Sequence, residues 1–280
     1  MKRNRMNVGI VCMMLLSALM AGGCSLKAQT DDSPVLHINI VEEVHLVETP
    51  SSPYCDFSID YSYLNEADDS IAVVINRLIQ REILGGDYAS LLPEAAVDSF
   101  KNAYIRDYRT EVGRLYEAER EQATSTEEIP NWFNRTYSLV TFVEEGHEGI
   151  INATAQIFVD TGGAHPNQWG RWLNFDASTG KLLTKEEVFQ TSAKADIEQL
   201  LFDQLMLLQA DLYPNETLKT LEDLQQKGIL RHTAMYIPDN FLLGKEEVSF
   251  LFNRYDIAPY SAGEIVIHVP YEAIKPFMKI

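Results

Sequence analysis

Between Phe57 and Leu64, large apolar side chains at Phe57, Ile59, Tyr61 and Tyr63 alternate with Ser58, Asp60 and Ser62. A period of two sends them to one face of a strand, so the segment demands a sheet with an apolar cover on that side. Val35 to Val47 reads as a neighbouring strand. The cover follows directly in the chain. Asp68-Asp69-Ser70 offers N-cap chemistry for a helix with Ile71, Val74, Ile75, Leu78 and Ile79 on one face, and Gly85-Gly86 ends it. A longer helix starts near Pro93, with Phe100, Tyr104, Tyr108, Val112 and Leu115 spaced at three or four residues.

The pattern then returns to strands. Trp132 to Glu144 and Ile150 to Asp160 are joined by Glu145-Gly146-His147-Glu148-Gly149, a hairpin tip, and Arg171 to Phe175 is a further short strand. Thr184-Lys185-Glu186-Glu187 spells a capping box. Ile197, Leu200, Leu201, Leu205 and Leu208 mark one more helix, and Leu218, Leu221 and Leu224 another that stops at Gly228. Asn240 to Leu243, Val248 to Phe252 and Glu264 to Val269 close the chain as strands. Strands, then helices, then strands is the order of an α+β protein, with antiparallel sheets packed against several helices, and not of a doubly wound parallel sheet.

The first residues obey a different logic. Lys2, Arg3 and Arg5 precede the apolar run Val8 to Met20 and the small residues before Cys24, the order of a secretory signal. The apolar run is too short for a membrane-spanning helix. Ala21-Gly22-Gly23-Cys24-Ser25 resembles a bacterial lipobox, with Ala21 where Leu is usual. The expectation is a lipoprotein signal peptide over 1–23, lipid on Cys24, and a polar tether over 24–34. Ser25 is not the Asp associated with inner-membrane retention, which favours the outer membrane; a periplasmic and a surface-facing orientation both stay open.

Loss of 1–23 removes three basic and no acidic residues, moving the net charge from −18 to about −21. Such a chain repels phosphate backbones, which excludes nucleic acid as a partner. It favours cationic partners, or serves solubility alone.

Chemistry is hard to find. There is no phosphate-binding glycine loop, no Gly-x-Ser-x-Gly elbow and no His-Glu-x-x-His. The six histidines are scattered, so neither a metal site nor a cofactor is expected. Cys55, the one cysteine left beyond Cys24, reads as a packed small residue. The unusual segment is Thr161-Gly162-Gly163-Ala164-His165-Pro166-Asn167. Gly162 and Gly163 permit positive φ or close backbone approach, and Pro166 holds His165 extended. The structural reading is a bulged or sharply turned strand whose His165 bonds across the bend; the functional one makes His165 a general base.

That segment, followed by Asn174-Phe175-Asp176, Thr179-Gly180-Lys181-Leu182-Leu183-Thr184, Val188-Phe189, Phe250 through Gly263 and Val269-Pro270-Tyr271, resembles in order and spacing the paired domain-of-unknown-function families 4163 and 3298. These form the extracytoplasmic module of RsiV-like anti-sigma factors and PdaC-like peptidoglycan deacetylases. The resemblance implies two interlocked α+β subdomains, here 35–170 and 171–280, with Gly162, Gly163, His165 and Pro166 as a structural motif near their junction. In RsiV-like proteins the module binds lysozyme; in PdaC-like proteins it accompanies a cell-wall enzyme. It implies no catalytic residues. The expectation is a lipid-anchored, non-enzymatic cell-envelope protein that recognises a lysozyme-like cationic protein or peptidoglycan. The alternatives are an envelope hydrolase using His165 with carboxylates brought in by folding, and a structural lipoprotein with a protein partner.

Overall fold

The computed structural model describes residues 33–48, 52–67, 69–123, 131–214 and 218–279. The leader, Cys24, most of the tether, Asp68 and the segment 124–130 lie outside them. From Ser33 onward the chain forms one compact unit. Among the described residues no helix is long and apolar enough to cross a membrane.

The first half is a five-stranded sheet in sequential order: β1 (Val35–His45), β2 (Tyr54–Leu64), β3 (Arg135–Glu145), β4 (Ile150–Asp160) and β5 (Asn167–Asp176). Neighbours are antiparallel except β2 and β3, which run parallel from Cys55↔Arg135 to Asp60↔Val140. A parallel pair needs a long crossover. It is supplied by α1 (Ser70–Ile83) and α2 (Pro93–Gln122), the cover that the alternation in β2 required. Asp69 caps α1, its carboxylate accepting from Ile71 and Ala72 N–H.

Phe57, Ile59 and Tyr61 of β2 are buried with Leu139, Phe175, Ile75, Ile79 and Tyr108 in the first core. Phe57 stacks on Tyr137 with centroids 5.2 Å apart, and Tyr104 lies 5.5 Å away. Cys55 is in this core, and burial pushes its thiol up to about 11, so it is a neutral packed side chain.

Two expected stripe residues of the first two helices fall outside the core. Val74 is 42% exposed and Leu115 is 54% exposed, while Tyr116 is buried. On α2 the buried row runs Tyr108, Val112, Tyr116, a series of fours, and Leu115 is turned about 100° away from Tyr116.

Strand limits differ in several places, β1 ending at His45 and β2 beginning at Tyr54 among them. Residues 131–133 form a 3₁₀ turn and β3 starts at Arg135, because Asn134 turns aside to accept the Tyr54 N–H at 3.1 Å before the parallel pairing begins. β5 begins at Asn167, not Arg171, since its pairing with β4 extends to Val159↔Asn167.

The second half contains α3 (Lys185–Val188), α4 (Lys194–Leu212), α5 (Leu221–Gln226), the antiparallel sheet of β6 (Phe241–Leu243), β7 (Glu247–Phe252) and β8 (Ile265–Pro270), and α6 (Tyr271–Ile274). Its core joins Ile197, Leu201 and Leu205 of α4 to Phe250, Phe252, Ile267 and Val269. At the predicted capping box the Thr184 N–H donates to Glu187 Oε2 at 2.9 Å.

The two halves meet along the outer edge of β5, and asparagines do the joining. Asn174 Nδ2 donates to the Phe241 carbonyl at 2.8 Å and its Oδ1 accepts the Leu243 N–H at 2.7 Å. Asn240 bonds Gly170 O and Trp172 N, while Asn253 bonds Gly170 N and O. A primary amide offers the donor and acceptor of a peptide group, so Asn240 and Asn253 complete the edge of β5, and Asn174 that of β6, as a strand would. From the helix side, Arg171 on β5 pairs with Glu82 of α1 at 2.6 Å.

Candidate functional site

Seating Asn253 against β5 brings the next residues, 254–260, over the loop between β4 and β5. That loop is the Gly162-Gly163-Ala164-His165-Pro166 segment, a hairpin connection and not a bulged strand. Gly162 has φ +73°, and a Cβ there would stand 2.1 Å from the Trp132 carbonyl oxygen, so only glycine lets the loop cross the 131–133 turn. Asp160 Oδ1 accepts the Gly162 N–H at 2.9 Å.

His165 is exposed. Its Nδ1 lies 3.0 Å from the Pro166 carbonyl, which can only accept, so in the neutral ring the proton sits on Nδ1 and Nε2 accepts from the Tyr255 hydroxyl at 3.1 Å. Its ring stacks on Tyr260 with centroids 3.9 Å apart. Tyr260 also donates its hydroxyl to Pro166 O at 2.8 Å and lies under the Arg254 guanidinium, 4.6 Å from the ring centroid. Tyr260 is thus engaged by both His165 and Arg254.

The result is an aromatic ledge. Tyr255 is 60% exposed and Trp132, against whose backbone Gly162 rests, is 57% exposed. Two adjacent residues of the ledge are locally unfavourable. Tyr255 has φ +71°, one of two non-glycine residues with positive φ among those described, and an aromatic side chain there is a backbone outlier. Arg254 Nε is buried with no hydrogen-bond partner. Strain and unsatisfied polar groups persist where the surrounding structure enforces them.

A general base at His165 would need an orienting acid or a nucleophile within reach. The groups touching His165 are a phenol, a carbonyl and a ring. The carboxyl that burial raises, Asp56, belongs to β2.

A second grouping was not foreseen: Ser249 Oγ and Glu247 Oε1 lie 2.9 and 2.8 Å from His268. Both approach Nδ1, whereas a relay from serine through histidine to an acid uses both ring nitrogens, so this is not a catalytic triad. Three of the other four histidines have structural partners: His37 meets Ser62, His45 meets Glu43 and His147 stacks on Tyr271. Among the described residues no group of three or more His, Cys, Asp or Glu could hold a metal ion.

Gly162, Gly163, His165 and Pro166 thus lie together in one loop. Missing from the sequence-based set were Arg254, Tyr255 and Tyr260, ninety or so residues away. Asn253-Arg254-Tyr255-Asp256 does carry a turn signal, with Asn253 N–H donating to Asp256 Oδ2 at 2.8 Å, but nothing in it announces His165 as a neighbour.

Comparison with known proteins places this geometry in a family context. Residues 183–272 match the family described as "Protein of unknown function (DUF3298)". No curated protein matches the chain in sequence. Its fold is similar to that of a DUF3298-family protein from Bacteroides fragilis, with TM-score 0.78 and 24% identity over 88% of this chain and 93% of that one. It is also similar to a DUF3298-family protein from Pseudomonas aeruginosa, with TM-score 0.56 and 18% identity over 89% and 96% of the two chains. The chain therefore matches the DUF3298 model over one segment of its second half and shares, over most of its length, the fold of two solved proteins of that family.

Proposed function

We propose that this protein is a lipid-anchored, non-enzymatic binding module of the cell envelope, held by acyl chains on Cys24 and facing the periplasm or the exterior from the outer membrane. Its ligand is a component of the cell wall or a protein that acts on it: peptidoglycan, or a cationic muramidase of the lysozyme type. The pairing with a 4163-like first half belongs to the same reading.

The observation that carries the peptidoglycan reading is the ledge. Both halves of the molecule cooperate to hold Tyr255 in a strained backbone with its ring in solvent, and exposed tyrosine, tryptophan and arginine are the side chains that dominate recognition surfaces. His165 is engaged by the same rings and a carbonyl, which suits a part of a contact surface better than a base awaiting a substrate. The charge of about −21 after removal of 1–23 adds long-range attraction for a cationic protein.

Two measurements test this. Isolated peptidoglycan sacculi are expected to retain the protein in a pull-down, or lysozyme to form a complex whose affinity falls between low and moderate salt in titration calorimetry. Failure of both ends the proposal.

A further inference from the structure

Resting on that reading, we infer that the ledge is a glycan site: a neutral pyranose oligosaccharide stacks on Tyr255 and continues toward Trp132. A pyranose ring has an apolar C–H face about the size of one aromatic ring and a rim of hydroxyls. The ledge matches both parts. Tyr255 and Trp132 are 60% and 57% exposed, and the Tyr255 hydroxyl, the exposed His165 ring and the Pro166 carbonyl supply polar groups at the edge of the rings.

Size and charge argue against a protein as occupant here. A stable protein interface buries about 800 Å² on each partner around a fully desolvated centre. The ledge is a few rings set around a short polar hairpin loop. Charge does not select an anion either. Arg254 is already engaged with the Tyr260 ring, and among the described residues no carboxylate pairs with it. The chain as a whole repels anions.

The strain at Tyr255 supplies the second, independent argument. A glycine at φ +71° would remove it, so a fold selected for stability alone has no use for a tyrosine there. What the tyrosine adds is a ring in solvent, with its hydroxyl 3.1 Å from His165 Nε2.

This makes the test unusually clean, because the decisive variant does not weaken the fold. Binding of N-acetylglucosamine oligomers to the purified protein is measured by titration calorimetry, with thermal unfolding of the same samples. The wild type is expected to bind with an affinity that does not change between low and moderate salt, since the contact is uncharged. Tyr255→Gly is expected to melt at the same or a higher temperature and to bind at least about tenfold more weakly. Tyr255→Phe keeps the ring and is expected to bind within about threefold of wild type. Trp132→Ala reports on the second ring, with a loss of about threefold or more.

Absence of oligosaccharide binding by the wild type, or unchanged binding by Tyr255→Gly, overturns the inference. Neither result touches the envelope-binding proposal, which stands or falls on sacculi and lysozyme. Oligosaccharide binding that collapses with added salt assigns the contact to charge and also overturns the stacking site.

Discussion

β4 has 11 residues, so its two ends are about 35 Å apart. The end at Ile150 carries the β3–β4 hairpin tip, where Glu144, Glu145 and Glu148 are exposed and the His147 N–H donates to Leu243 O at the β6–β7 turn. Exposed Glu246 lies on that turn, and His147 stacks on Tyr271 beside exposed Glu272. The end at Asp160 carries the aromatic ledge. Both ends are junctions between the same two halves, yet one presents mainly carboxylates, with Lys245 among them, in relaxed turns, and the other presents rings, with Asp256 beside them, on a strained backbone. Surface charge acts at long range and yields to salt, while ring stacking acts only at contact and does not. On the function proposed above, a cationic protein would be met at the first end and an uncharged glycan at the second.

The seam that holds both ends offers the largest expected effect. Asn174→Ala leaves the Leu243 N–H and the Phe241 carbonyl buried without partners, and is expected to cost about 3 kcal/mol in urea unfolding. A cost near zero would mean that the asparagine clip is not what joins β5 to β6. Next comes Gly162→Ala, with its Cβ pressed against the Trp132 carbonyl at positive φ: a loss of about 2 kcal/mol or more, together with weaker oligosaccharide binding. The loss should be confined to the ledge, leaving salt-sensitive lysozyme binding as it was.

Reversal of charge at the other end sharpens the contrast from its own side. Glu145→Lys, Glu148→Lys and Glu246→Lys together are expected to shift stability by less than about 0.5 kcal/mol, because the side chains are exposed. Lysozyme binding at low salt should fall about tenfold, and binding at the ledge should not change. Equal loss at both ends would erase the distinction drawn between them.

The smallest effect concerns the ion pair midway along the seam. Burial works to raise the Glu82 carboxyl, but hydrogen bonds from Arg171 and Arg81 outweigh it and hold the group below its ordinary value of 4.5. A carboxyl lowered in the folded state contributes stability above the unfolded value, and that contribution disappears as pH falls through the folded value. Glu82→Gln is therefore expected to cost about 1 kcal/mol at pH 7 and nothing by pH 2, read from urea midpoints at the two pH values. A cost that persists in acid would assign Glu82 a packing role and leave the ion pair without effect.

Much of the architecture was legible one segment at a time. The alternation in β2, the caps at Asp69 and Thr184 and the glycine stops are local signals, and each element stands close to where its signal places it. The stripe on α2 was legible only in part, since a spacing of three and a spacing of four both look amphipathic and packing chose the row through Tyr116 over Leu115. The parallel pairing of β2 with β3 was not legible, because nothing in either strand's own pattern distinguishes a parallel from an antiparallel neighbour. Half of the candidate site was marked by Gly162, Gly163, His165 and Pro166, whose backbone chemistry is unusual wherever they occur. The other half, Arg254, Tyr255 and Tyr260, reads as an ordinary turn until folding sets it on His165.

The sequence by itself determined the class of fold, the burial of Cys55, the acidity and the unusual conformation at Gly162, since each follows from local covalent chemistry, periodicity or a sum of charges. Only the tertiary structure decided that an exposed His165 would be locked by two tyrosines and that charge and aromatic rings would occupy opposite ends of β4. Those outcomes depend on side-chain amides of Asn174, Asn240 and Asn253 joining β5 to the second half, contacts across some 70 to 80 residues that no local pattern encodes.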